Sequence, residues 1–276
     1  MTATGLLELR AGRFRMLTWG EGDETVLFLH GLTGVAEAWL PTVRLLSPGR
    51  RYVALDQRGH GQSPADPGLD YSAGAFVRDA VEAIEQIGAP LHLVGHSMGA
   101  RVALLAAARY PQLLLSTAII DIGPEASRAN IRDTVAGLDR RPERFESREE
   151  ALAFAFRKRT PTGDDEAIFL ARLVAADDGS FRWRSPAAVL AECVSRQRSR
   201  SYWQDWRRIR GRAMLVHGGS STEVSTAIAD RMHHENSSVR FERLDGVGHN
   251  IPLIAPGALA GLLEDFWGVS TRIGTQ

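Results

Sequence analysis

Several things are scarce in this chain. It has one cysteine, Cys193, so no internal disulfide can staple it. Its only lysine is Lys158; every other basic side chain that is not a histidine is an arginine. Neither sign of charge is in excess: 33 basic residues face 33 acidic ones, which removes any bulk attraction to nucleic acid or to an anionic membrane. No apolar run approaches the ~20 residues that span a bilayer. The stretch Met1–Glu8 lacks a basic start followed by an apolar core. Internal repeats and low-complexity tracts are missing too. The expectation is a cytoplasmic soluble protein with no nucleic-acid or membrane partner. No cofactor and no metal are expected, and the oligomeric state is left open.

What is present suits an ordinary globular fold. With 276 residues, 44% of them hydrophobic and 24% charged, the chain can bury one α/β core with an insertion, or two small domains. Apolar runs at Phe14–Trp19, Val26–Leu29, Tyr52–Asp56, Leu91–Val94, Leu114–Ile120, Ala213–His217 and Val239–Leu244 read as strands. Helical spacing fills Ala36–Leu46, Tyr71–Ile87, the stretch after Gly99, Ser225–His234 and Ala258–Trp267. Strands alternating with helices predict a mostly parallel sheet covered by helices on both faces, with functional groups at the carboxyl ends of its strands. The pattern breaks after Pro124. From 125 to 205 the composition is helical and charged, with no strand of the parallel type, and predicts a helical lid inserted between two core strands. The division is core 1–124, lid 125–205 and core 206–276, with Met1–Leu7 and Ser270–Gln276 expected to fray.

The chemistry centres on Gly95-His96-Ser97-Met98-Gly99, between a buried strand and a helix. A strand that turns abruptly into a helix strains its corner residue. Glycines on either side make room for the bend, so the Ser97 hydroxyl projects from the top of the sheet. The helix start adds free N–H groups and a positive dipole end, which suit a developing oxyanion.

With His30-Gly31 after an early strand, Asp56-Gln57-Arg58-Gly59-His60-Gly61-Gln62-Ser63 and Gly246-Val247-Gly248-His249 near the end, these residues resemble the α/β-hydrolase superfamily from about Arg13 to Trp267, the lid excepted. The resemblance implies Ser97 as nucleophile and His249 as its base, in the chain order serine, acid, histidine. It implies an oxyanion hole made by the backbone N–H groups of Leu32 and Met98. His30 is expected to steady the oxyanion loop and to border the substrate. His96 is expected to point away from the site. Asp56, Arg58 and Ser63 are expected to hold a core loop together.

The acid is a choice between two residues. Most relatives carry an aspartate in the loop after the strand matching Met214–His217. Here that loop reads Gly218-Gly219-Ser220-Ser221-Thr222-Glu223, with Thr222 at the aspartate's place. A minority carry the acid at the end of the strand that follows the serine, where Asp121 stands. Asp121 is preferred and Glu223 is the alternative, with capping of the next helix as the plainer reading of Glu223. The Gly-Ala-Arg after Ser97, the acid at Asp121 and the Gly-x-Ser-Ser loop are also similar to the 2-(acetamidomethylene)succinate hydrolase subfamily.

Such a triad implies a small-molecule substrate, attack on its acyl carbon, an acyl-enzyme and its hydrolysis, with ester, lactone, amide and vinylogous C–C substrates all open. A cofactor-free enzyme of oxygen chemistry and a non-catalytic receptor are the other classes this fold holds. In the lid, Arg157, Lys158, Arg159, Arg172, Arg182 and Arg184 are candidate carboxylate ligands, against solvated surface as the plainer reading. Phe154, Trp183, Phe156 and Phe169 are candidate pocket wall.

Overall fold

The computed structural model describes residues 2–66, 68–126, 128–157 and 160–268, and of Arg128 only the backbone. Lys158, Arg159 and the tail from Ser270 lie outside the described residues. One sheet of eight strands organises the chain. In sequence these are β1 (Thr2–Leu9), β2 (Gly12–Trp19), β3 (Glu24–Leu29), β4 (Arg50–Leu55), β5 (Leu91–His96) and β6 (Leu114–Ile120). Ala213–Gly218 and Arg240–Leu244 complete it after an insertion. In the order β1-β2-β4-β3-β5-β6 and then the two later strands, every pair from β4 onward is parallel; β2 is antiparallel to both its neighbours, β1 and β4.

Alternation along the central strands builds two apolar layers, as a two-residue period requires. Leu27, Leu29 and Leu93 join the helices Ala73–Ile87 and Met98–Arg109 on one face. Val26, Phe28 and Val94 join Trp39 and the closing helix Pro256–Trp267 on the other. All six residues of β5 are buried, His92 and His96 included, as expected of a central parallel strand covered on both faces. The helix expected from Tyr71 begins at Ala73, because the Ser72 hydroxyl accepts the N–H of Ala75 and caps it. The helical stretch expected at Ala36–Leu46 is split into a 3-10 turn, Ala36–Trp39, and a short α-helix, Leu40–Val43, with Pro41 in its first turn.

Two expectations are corrected. The N-terminal stretch is not frayed: Thr2–Leu9 pairs residue for residue with β2, from Thr2 opposite Trp19 to Leu9 opposite Gly12. Leu7 and Leu9 sit in the core while Leu6 faces solvent, an alternation masked by the neighbouring Leu6-Leu7 pair. Nor is the inserted segment purely helical. Its helices include Arg128–Asp139, Arg148–Phe156, Asp165–Leu170, Ala187–Arg198 and Trp203–Arg208. It also carries β7 (Arg144–Phe145), β8 (Leu173–Ala175) and β9 (Phe181–Trp183), an antiparallel sheet in the order β7-β9-β8. Strands of two or three residues are too short to show a period. Ala213–Gly218 is accordingly β10 and Arg240–Leu244 is β11. Among the described residues no helix is long and apolar enough to cross a membrane.

If β1 is part of the core, Leu9→Ala should lower the unfolding free energy by about 2–5 kcal/mol, the range for a buried leucine. Chemical denaturation measures it, and a change within about 0.5 kcal/mol, as at a surface position, would contradict the burial.

Candidate active site

The corner after β5 is built by backbone contact. Ser97 adopts φ 53° and ψ −113°, between the last strand residue and the first helical one. A Cβ on Gly95 would collide with the Gly99 carbonyl, and one on Gly99 would collide with the Leu29 carbonyl. Only glycine lets the helix start this close to β5 and β3. Two hydrogen bonds fix the corner: Ser97 N–H to the Ile120 carbonyl (2.9 Å) and Gly99 N–H to the His30 carbonyl (3.2 Å).

Three side chains from distant parts of the chain meet there. The Ser97 hydroxyl lies 3.0 Å from His249 Nε2, and His249 Nδ1 lies 2.6 Å from Asp121 Oδ2. His249 comes from the loop after β11, and Asp121 from the end of β6 with φ 50°. With Nδ1–H donating to a carboxylate, Nε2 is the ring's acceptor and faces the hydroxyl. Asp121 is fully buried. Burial by itself favours its neutral form, but hydrogen bonds from His249, Ser221 and the Gly218 amide outweigh that and hold its pKa below the ordinary value. Gly218 N–H reaches Oδ1 at 2.9 Å and the Ser221 hydroxyl reaches Oδ2 at 2.5 Å. Of the two carboxylates weighed from the sequence, Asp121 meets the ring. Glu223 instead pairs with Arg198 at 2.8 Å, its side chain 14% exposed, so it is not the solvated cap expected of it.

The histidines around this group are committed to the framework. His96 does not point away: its Nε2–H donates to the His249 carbonyl at 2.9 Å, and the two rings lie 4.9 Å apart. The residue before the corner therefore braces the loop that carries His249. His30 is buried, with Nδ1–H donating to the Gly31 carbonyl (2.8 Å) and Nε2 accepting the Gln57 N–H (3.1 Å). With both ring nitrogens engaged in the loop it has no polar atom left for a substrate. Burial pushes the pKa of His30 down to about 4 and those of His60 and His96 to about 3. Asp56 accepts the Ala36 and Gln62 amides and an Arg15 N–H, Ser63 donates to the Asp56 carbonyl, and Arg58 pairs with Asp79, all within the framework.

The amides of Leu32 and Met98 have no internal acceptor among the described residues. A cavity of about 300 Å³ lies over Ser97 and His249, with Leu32, Leu138, Arg141 and Arg198 among its walls. It shares Leu32, Thr33, His96 and Asn250 with a second space of about 180 Å³ that reaches Arg172. Arg172 and Leu253 in turn border a third of about 440 Å³. The candidates Phe154, Arg157 and Trp183 come together on that third cavity, which Ser97 does not line. Phe156 and Phe169 line it too, whereas Arg182 faces solvent. Arg141 and Arg198 were not singled out in the sequence, His96 was expected to point elsewhere, and Ser221 was given no role there. The Gly-x-Ser-Ser loop was the available signal for Ser221, whose hydroxyl donates to Asp121. Among the described residues no cluster of three or more His, Cys, Asp or Glu is arranged to hold a metal ion.

Residues 26–262 match the alpha/beta hydrolase family. The chain belongs to that family. It is 28% identical over 247 residues to the 2-(acetamidomethylene)succinate hydrolase of Mesorhizobium japonicum, covering 87% of each chain. It is 27% identical over 241 residues to the sn-1-specific diacylglycerol lipase ABHD11 of Mus musculus, covering 83% of this chain and 77% of that one. The crystal structure of an E-2-(acetamidomethylene)succinate hydrolase superposes with a TM-score of 0.88 at 23% identity, over 97% of this chain and 99% of that one. These relatives are named hydrolases, and the chain is an enzyme of the α/β-hydrolase superfamily.

The neutral histidines make the fold acid-sensitive. An unfolded chain takes up protons at His30, His60 and His96 as pH falls through the ordinary value of 6.5, while the folded chain resists until about pH 4 or below. Stability should therefore be complete above pH ~6.5 and fall as the pH drops, with a slope of up to about 4 kcal/mol per pH unit for the three together. Asp121, with its depressed pKa, adds a further loss in the carboxylate range. Urea unfolding from pH 5 to 7 measures the slope, and a flat profile would mean that these rings are not buried neutral.

Proposed function

We propose that the protein is a serine hydrolase that cleaves an ester, lactone or amide bond of a small acyl compound through an acyl-enzyme. The observation that carries this reading is the continuous hydrogen-bonded line from the Ser97 hydroxyl through His249 to Asp121. Ser97 attacks the acyl carbon as His249 Nε2 takes its proton. Asp121 holds the ring in the tautomer that leaves Nε2 free, and stabilises the imidazolium formed during attack. The Leu32 and Met98 amides receive the oxyanion. His249 then returns the proton to the leaving group and activates the water that frees the enzyme.

The substrate class follows from charge. Arg141 Nη1 is buried without a partner, and its guanidinium lies 3.8 Å from the Trp183 ring centroid. Arg172 forms no ion pair with a described residue, and its Nε is buried and unpartnered. Burial lowers the pKa of Arg141 to about 10 and lowers that of Arg172 as well, which leaves Arg141 charged at neutral pH. Cations held ready along the cavities suit an acyl compound that carries an anionic group, in keeping with a relative named for a succinate. Walls of all three cavities come from the 125–205 segment, so that segment acts as the lid between the two core portions, 1–124 and 206–276.

Ser97→Ala should lower kcat by on the order of 10⁶ with the fold intact, and His249→Ala should be similar. The double variant should be little worse than either alone, since the residues act as one unit. Near-normal turnover by Ser97→Ala on a panel of acyl esters, lactones and N-acyl compounds would end the hydrolase reading.

Asp121→Asn should cost roughly 10⁴ in kcat, the loss that follows a wrong tautomer. Glu223→Gln should cost less than about tenfold, since Glu223 meets Arg198 and not the ring. Reversed losses would transfer the acid's role to Glu223. Arg141→Met should raise KM for a hemisuccinate ester at least about tenfold while leaving the matched neutral ester within about threefold, the difference one charged hydrogen bond makes. Equal effects on both esters would remove the anionic-substrate part alone.

A further inference from the structure

A much smaller cavity lies behind the oxyanion corner. Leu32 and Met98 wall one side of it, Ile122 and Val194 add apolar surface, and Arg198 is shared with the space over Ser97. Two polar side chains, each 2% exposed, also line it: Arg101, one turn into the helix that starts at Met98, and Gln197. Arg101 Nη1 and Gln197 Nε2 are both buried without a hydrogen-bond partner. Arg101 forms no ion pair with a described residue. Its guanidinium lies 5.1 Å from the Tyr202 ring centroid, and the neighbouring Arg198 already has Glu223. Burial lowers the Arg101 pKa to about 10, which still leaves it charged at neutral pH. A desolvated cation and two unmet donors are each unfavourable, and an acceptor between them would relieve all three.

Size and hydrogen-bond sense choose that acceptor. The space is about 10 Å³, room for about one water-sized centre. A carboxylate, with three heavy atoms in a plane, is too large. A water would accept from both N–H groups and could donate back to the Gln197 amide oxygen, but it would leave the Arg101 charge uncompensated. A monatomic anion has no hydrogens to satisfy and brings the missing charge.

We propose that this cavity is a halide site, in which a chloride-sized anion is held between Arg101 Nη1 and Gln197 Nε2. Leu32 and Met98 form its wall, so an occupied site braces the corner that carries the two oxyanion amides. No step of the hydrolytic reaction passes through it, and its test does not need turnover.

The experiment compares the full-length protein with Arg101→Met and Gln197→Leu in sodium glutamate, chloride, bromide and acetate at equal ionic strength. Thermal unfolding gives one readout and anomalous diffraction from bromide-soaked crystals the other. Chloride and bromide should raise the wild-type Tm over its value in glutamate by about 2–4 °C more than they raise that of either variant. Arg101→Met removes a buried unpaired cation and should fold without halide. Bromide density should lie within about 3.5 Å of Arg101 Nη1, the reach of a hydrogen bond to a large anion. A halide response equal in wild type and both variants overturns the proposal, as does an anomalous map with no bromide at Arg101. If acetate reproduces the bromide shift and Arg101→Met abolishes it, the site takes a carboxylate and the single-atom reading is wrong.

Discussion

The site depends on one close approach of backbone to backbone. At the end of β5 the chain enters a helix within a single residue, with Gly95 and Gly99 in contact with carbonyls that no side chain would tolerate. Ser97 takes a left-handed conformation as a result. Among the described residues only Thr33 and Asp121 share that feature without being glycine. All three lie beyond the carboxyl ends of strands that are neighbours in the sheet, β3, β5 and β6. Strain of about 1–3 kcal/mol at each such residue persists only where the surroundings over-determine it. Here they do, through the Ser97 amide on Ile120, the Asp121 amide on Val216 and the Gly34 amide on Gly31. A parallel sheet buried on both faces supplies the rigidity that holds a strained edge in place.

That edge explains how a carboxylate at the end of β6 meets a histidine from two strands away. Asp121 leaves its strand fully buried, and a buried carboxylate needs donors on every side. Gly218 and Ser221 provide them from the loop after β10. The loop contributes a hydroxyl and an amide to a carboxylate carried by another strand. Ser221 also accepts the Glu223 and Val224 amides, so the hydroxyl that orients Asp121 is itself fixed by the turn into the next helix.

The parts legible in the sequence are those with a period or a motif. Long apolar runs located the central strands to within a few residues, and the glycine pattern located the corner, because both reflect local backbone requirements. The parts that were not legible depend on contacts between distant residues. Leu7 and Leu9 show their burial only once β2 lies beside them. The three short strands of the insertion are defined by pairing and not by composition. His96 was expected to point away on the geometry of the turn alone. It meets His249 because the loop after β11 folds back over β5, which no spacing in the sequence encodes.

Charge shows the same limit most clearly. The chain is balanced overall, and many of its arginines are neutralised locally, as Arg196 is by Glu192, Arg207 by Glu235 and Arg44 by Asp164. A balanced total nevertheless coexists with a positive interior. Arg101, Arg141 and Arg172 pair with no described carboxylate, and each borders one of the connected or adjoining cavities around Ser97. Exposed pairs contribute little in water, whereas an unpaired cation in a desolvated wall is costly enough to require a counter-charge. Anions therefore gain most at the places where the protein has left its own carboxylates out. On the proposed mechanism the oxyanion formed by attack of Ser97 would arise between those places, so the field that would draw an anionic ligand inward would also favour the transition state at the corner.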